Sequence, residues 1–167
     1  MTPEPEQPRV EVPAEPTANG PFALHDELGR VTEEGFMRNG LLDGELRIYS
    51  RGRIAAKYQY REGVRNGEAS LYNEAGDMIA EGTYHSDLMH GEWAYLDDRG
   101  NVVRRVLYRA GDLQGRAVAF YPSGKPREFC DYRNGLRDGE VLTYSEQGKL
   151  LDRQYFLAGR PVDGLKT

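Results

Sequence analysis

Glycine recurs in this chain with a period close to 24 residues, and no other property constrains the fold as much. Gly20, Gly44, Gly67, Gly91, Gly115 and Gly139 are spaced by 24, 23, 24, 24 and 24 residues, and Gly164 follows after 25. A fixed period of this size marks a repeat architecture, in which one supersecondary unit is copied and stacked. Counting each opening glycine as position 0, a second column falls at position 9: Gly29, Gly52, Gly76, Gly100, Gly124 and Gly148. A third falls at position 20: Gly40, Gly63, Gly111, Gly135 and Gly159, with Asp87 as the exception. The second unit is one residue short, so Gly52 stands at offset eight and later positions are counted from it. Eighteen of the twenty glycines occupy these three columns, which identifies the columns as turns. The other two, Gly35 and Gly82, share position 15.

Each unit therefore holds two segments of about six to eight residues, a length that suits strands and not ordinary helices. Position 17 reads Met37, Tyr60, Tyr84, Tyr108, Tyr132 and Phe156. Positions 11 and 15 are also largely apolar, whereas position 14 carries Glu34, Lys57, Glu81, Arg105 and Arg153. Side chains alternate across a strand, so the odd positions predict one buried face and one wet face. Antiparallel sheets tolerate that division. In the first strand of each unit, position 5 carries Tyr49, Tyr72, Leu96, Phe120 and Tyr144, with His25 in the first unit. These columns predict aromatic ladders running along the sheet, with Tyr49, Tyr72 and Tyr144 among the rungs. On that reading Tyr108→Ala costs about 3–5 kcal/mol. Pro126, lacking a donor, predicts an interrupted strand in the fifth unit.

The fold class that follows is all-β. It is a single-layer antiparallel meander of about six hairpin repeats over residues 20–167, twisted or curled into an open, solenoid-like sheet. Residues 1–19 carry five of the nine prolines and four glutamates and have almost nothing apolar to bury. They read as a disordered Pro/Glu-rich tail.

Composition narrows the function classes. A hydrophobic fraction of 38% with 29% charged residues suits a thin stack better than a thick core, and the net charge of -5 opposes a nucleic-acid binder. The lone cysteine, Cys130, excludes an internal disulfide framework. No secretory signal and no apolar run of about 18–20 residues occurs, so the expectation is a cytoplasmic protein without a transmembrane segment.

The tract G-E-x-x-x-Y-x-x-x-G followed by Y-x-x-G-x-x-x-G is carried by Gly67, Glu68, Tyr72, Gly76, Tyr84 and Gly91. Gly91, Glu92, Trp93, Gly100, Tyr108, Gly111 and Gly115 carry it again, as do Gly139, Glu140, Tyr144, Gly148, Phe156 and Gly159. This pattern resembles the MORN repeat, and more closely the bacterial MORN-type variant of the YwqK-like antitoxin family. The resemblance spans about residues 20–164. It implies a protein that neutralises a toxin or effector, as an antitoxin or immunity protein. A basic lipid-binding face, a role linked to eukaryotic members, does not emerge from the sequence.

No P-loop, dinucleotide fingerprint, nucleophile elbow or zinc motif occurs, so no enzyme and no cofactor are expected. His85 and His90 flank Asp87 but lack a third ligand at a defined spacing, and they read as turn residues. Asp97 to Asn101 fails the calcium-loop pattern and reads as a hairpin turn. Glu45, Glu68, Glu92 and Glu140, at position 1, are expected to pair with arginines on neighbouring strands. Interface candidates are apolar residues that the ladder does not require: Trp93, Tyr95, Leu107, Phe129 and Tyr155. Exposed Trp and Tyr are frequent anchors of protein interfaces. The sequence thus reads as a protein-binding module, with a structural scaffold that self-associates through its end strands as the alternative.

Overall fold

The computed structural model describes residues 18–162. The tail up to residue 17 and Gly164 lie outside the described residues. The first two units form β1 (Gly20–His25), β2 (Val31–Arg38), β3 (Leu41–Leu42), β4 (Gly44–Ser50) and β5 (Arg53–Arg61). The middle contributes β6 (Val64–Tyr72), β7 (Met78–His85), β8 (Leu88–Leu96), β9 (Val102–Arg109) and β10 (Asp112–Leu113). The last units supply β11 (Gly115–Phe120), β12 (Pro126–Arg133), β13 (Leu136–Tyr144), β14 (Leu150–Leu157) and β15 (Arg160–Pro161). All fifteen belong to one open antiparallel sheet in which neighbours in sequence are neighbours in space. Three are two-residue pairings in the links, which leaves the twelve strands the repeat predicts. Pro126 opens β12 instead of interrupting it, a place where the missing N–H costs no ladder bond.

Two kinds of turn alternate. At the hairpin end of most units, the position-6 side chain closes a short loop. Asp97 Oδ1 accepts from the amides of Arg99 (3.0 Å) and Asn101 (2.8 Å), and Gly100 N–H donates to the Asp97 carbonyl at 3.0 Å. Asp26, Asn73 and Ser145 act in the same way. The second unit instead uses a two-residue turn with Arg51 and Gly52 both at positive φ (52° and 78°), which accounts for its missing residue. The links between units use two-residue turns of the same left-handed kind, such as Asn39–Gly40 (φ 51° and 77°). These twist with the flanking strands and favour Asn-Gly. Each link also donates to the link before it: Gly63 N–H to Leu42 O, Asp87 to Arg65, Gly111 to Met89, Gly135 to Leu113 and Gly159 to Arg137, all at 2.8–3.0 Å. The links thereby form a stacked edge of their own.

Asp87 holds φ 65° where its neighbours have glycine. Its Oδ1 accepts from the Arg65 backbone amide at 3.0 Å and from Arg65 Nε at 3.1 Å, which offsets the cost of a left-handed side chain. These bonds, the backbone one first, hold the Asp87 carboxyl below its ordinary pKa of 3.8, and Asp26 and Asp97 are lowered by their turn bonds. A carboxyl whose folded pKa is depressed stabilises the fold above its unfolded pKa, and that contribution is lost as pH falls through the folded value. Stability is therefore expected to decline on acidification below about pH 4. Asp87→Asn and Asp97→Asn should each flatten that decline in urea titrations at acid pH. An unchanged slope in both variants contradicts the assignment.

The buried face differs from the one the odd positions predict. In the second strand of each unit, positions 15 and 17 do point to the core. In the first strand the core column is position 2: Leu46, Ala69, Trp93, Ala117 and Val141 are all buried. Between positions 4 and 5 the register shifts in every unit, as between Leu71 and Tyr72, where Leu71 faces Ala80 but Tyr72 faces Met78. That bulge leaves position 12 unpaired and sends positions 5 and 11 to the opposite, open face. The position-5 aromatics accordingly lie there: Tyr49 donates to Glu34 Oε1 at 2.6 Å, Lys57 sits over the Tyr72 ring, and Tyr144 meets Phe129 edge-on. His25, in the same column, is exposed. The ladder that holds the sheet is the position-17 column with Tyr58 and Trp93. Tyr58–Tyr84, Tyr84–Trp93 and Trp93–Tyr108 are edge-to-face at 5.8, 5.4 and 6.3 Å.

Candidate interaction surface

Trp93 is 0% exposed and is the largest fully buried side chain among the described residues. Its Nε1–H donates to Thr83 O at 3.0 Å, so the indole's polar atom is satisfied inside the core. Contrary to its expected place on the surface, Trp93 lies inside because position 2, and not position 5, faces the core. Tyr95, at position 4, shares that face. It packs against the Trp93 cluster, its hydroxyl lies 3.2 Å from that of Tyr108, and burial with that bond pushes its pKa well up. Neither residue is an exposed anchor.

Phe129 does lie on the open face, but it is half-buried between Tyr144 (5.7 Å) and the Arg116 guanidinium (5.8 Å). Arg116 in turn forms a two-pronged ion pair with Asp131 at 2.8 and 2.9 Å. The remaining candidates are open to solvent: Leu107 is 44% exposed and Tyr155 37%. Both occupy position 16, which faces outward beside the links, and the exposed Phe36 occupies the same column.

The links add a pattern that the glycine columns hide. In the type of turn they use, positions 18 and 21 face each other across the hairpin and share the open face. The pairs are Arg38–Leu41, Arg61–Val64, His85–Leu88, Arg109–Asp112, Arg133–Leu136 and Leu157–Arg160. A basic residue opposes an aliphatic one in five of the six, counting His85 and the reversed Leu157–Arg160 pair, and the aliphatic members are 37–60% exposed. Leu41, Leu88 and Leu136 lean on the glycine of the next link, each within 3.5 Å of where a Cβ of Gly63, Gly111 or Gly159 would stand. At these three junctions successive rungs touch, and the rungs recur about every 10 Å, two strand spacings. The signal in the sequence was the 24-residue recurrence of basic and aliphatic residues three apart, centred on the X-Gly turns.

Other chemistry is sparse. His85 and His90 lie 5.9 Å apart, centre to centre, and no group of three or more His, Cys, Asp or Glu side chains among the described residues is placed to hold a metal. Cys130 is buried, and burial raises its thiol pKa, which keeps it protonated and unreactive. Two of the four position-1 glutamates meet arginines on the neighbouring strand, Glu92 with Arg105 at 3.7 Å and Glu140 with Arg153 at 3.8 Å, whereas Glu45 pairs with Arg47 on its own strand at 2.6 Å and Glu68 forms no ion pair among the described residues. Such exposed pairs contribute about 0–1 kcal/mol each. No helix of the described residues is long and apolar enough to cross a membrane.

Fold and surface together define a β-hairpin repeat protein with one packed face and one solvated face. No protein-family description and no curated protein matches the chain. A solved structure that does align is the crystal structure of the GtfA/B complex bound to UDP and GlcNAc, at 13% identity and a TM-score of 0.27. The alignment covers 64% of this chain and 21% of that one, and at such a score it bears on neither fold nor function.

Proposed function

We propose that this protein is a binding module that neutralises a cognate toxin or effector by covering it, in the manner of an antitoxin or immunity protein. The observation that carries the reading is the solvent-open row of apolar side chains at positions 16 and 21, formed by Phe36, Leu41, Leu88, Leu107, Leu136 and Tyr155. Contiguous exposed apolar surface beside charged residues is typical of interaction sites. The surface is preformed by the backbone ladder, so little conformational entropy is lost on docking. The resemblance to the YwqK-like family supplies the kind of partner. The scaffold reading, in which copies associate through strand edges, draws on β1 at one end of the sheet and, at the other, on β14, which the terminal β15 covers over two residues.

The test is co-expression with the product of the adjacent gene, scored by growth rescue and by co-purification. Wild-type protein is expected to rescue and to form a stable complex. Leu107→Glu and Tyr155→Ala should each weaken that complex by about tenfold or more, the effect of losing an interface anchor. Their melting temperatures should stay within a few degrees of wild type, because neither side chain is packed in the core. A protein that purifies alone, or variants that rescue as well as wild type, defeats the proposal.

A further inference from the structure

The strip along the links has a candidate occupant within the same chain. Residues 1–17 carry Glu4, Glu6, Glu11 and Glu15 against the single cation Arg9, with Val10 and Val12 flanking Glu11. That segment joins the sheet at the link edge. Ala18 O accepts from Gly40 N–H at 2.7 Å, and Asn19 Oδ1 accepts from the Asn39 amide at 2.8 Å, so residues 18–19 lie beside the first link and next to Arg38. In the first unit they stand where the preceding link stands in every other unit.

The strip is complementary to such a segment in charge and in polarity. Arg38 is tied to Asp43 at 3.4 Å and Arg133 to Asp138 at 3.1 Å. The second and fourth units have Asn66 and Gln114 where those units have Asp43 and Asp138. Arg61 and Arg109 are exposed and form no ion pair among the described residues, although Asp112 stands opposite Arg109 across the turn. Two guanidiniums without an ion pair among the described residues, each near an exposed aliphatic of its own or an adjacent link, suit an acidic segment in which Glu11 stands between two valines. The reach is sufficient. Seventeen residues span about 50 Å at the ~3.1 Å per residue of an extended proline-rich chain, while the links from Arg38 to Arg133 cover about 40 Å at two strand spacings per unit.

We propose that residues 1–17 dock along the open face of the links, on Arg61 and Arg109 and the aliphatic residues around them, as a tethered acidic strap. The strap would occupy the surface that the preceding section assigns to the partner, yet it is measured without any partner. A failure here leaves the binding proposal standing, and the reverse also holds.

The experiment places a nitroxide on the full-length chain at Pro8→Cys, which leaves every glutamate in place, and reads paramagnetic broadening of the sheet amides by NMR. Cys130 is buried and is not expected to take the label. Amides of Leu88, Gly111 and Leu136 should broaden several-fold more than those of the hairpin turns at Gly76, Gly100 and Gly148. High salt should abolish the difference, since exposed charges are screened within about 10 Å at 0.1 M ionic strength. The same loss is expected in R61E/R109E, whose dispersed sheet resonances report that the fold is intact. Uniform or absent broadening overturns the proposal, as does broadening that survives R61E/R109E. Broadening that fades on dilution overturns it as well, because it then comes from the strap of a second copy.

Discussion

Trp93→Ala is expected to lower the stability of the sheet by about 3–5 kcal/mol, the range for truncating a buried aromatic side chain. The indole is fully buried, sits edge-on between Tyr84 and Tyr108, and satisfies its N–H on Thr83 O. Its removal opens a cavity in a single layer, where there is no second sheet to collapse into the space. The neighbouring alanines, Ala69, Ala80 and Ala117, are too small to fill it. Urea unfolding followed by circular dichroism gives the midpoint, and a shift corresponding to less than about 1 kcal/mol would contradict the buried placement of this residue.

The second large effect comes from a single methyl group. A Cβ built on Gly82 would stand 2.2 Å from Trp93 Cδ2 and 2.4 Å from Cε2, inside the ring's own van der Waals envelope. Gly82 does not have positive φ, so glycine is needed here for space and not for backbone freedom. Gly82→Ala should cost about 3 kcal/mol, the upper end for overpacking, because the obstructing atoms belong to a rigid, enclosed ring. Trp93 fluorescence reports the outcome directly, with native emission shifting to the red as the indole is displaced toward water. The double variant G82A/W93A should be less destabilised than the sum of the two singles, by about 1 kcal/mol or more, since the added methyl then enters vacated space. Additive effects would mean that the two residues do not share one packing site.

These two residues also show how far the sequence could be read. The position-15 column holds Gly35 and Gly82 together with Tyr58, Val106 and Cys130, and it is the column opposite position 2. Glycine in a strand often marks a close approach, and a large residue in the facing column is the complement. Trp93 facing Gly82, and Leu46 facing Gly35, were legible as size-compensating pairs once position 2 was known to face inward. Simple alternation does not give this, because the phase of the second strand does not run straight through the hairpin. The bulge between positions 4 and 5 breaks that phase, and nothing in the residue types at position 12 (Thr32, Ala55, Ile79, Val103, Arg127 and Leu151) announces it. The same break explains why Tyr95 was misplaced, whereas Leu107 and Tyr155, at position 16 beyond the bulge, were placed correctly on the open face.

The sequence by itself determined the repeat, its length, the antiparallel meander and the two sets of turns, because the glycine columns encode backbone geometry locally and the period copies it. It also determined the position-17 ladder, since identical positions in stacked units must fall in line. What only the tertiary structure decided was which face of each first strand is buried, and therefore which aromatics hold the sheet and which are open to a partner. That choice depends on a one-residue register shift between paired strands. A shift of one residue turns every side chain beyond it to the other face while leaving the one-dimensional pattern unchanged.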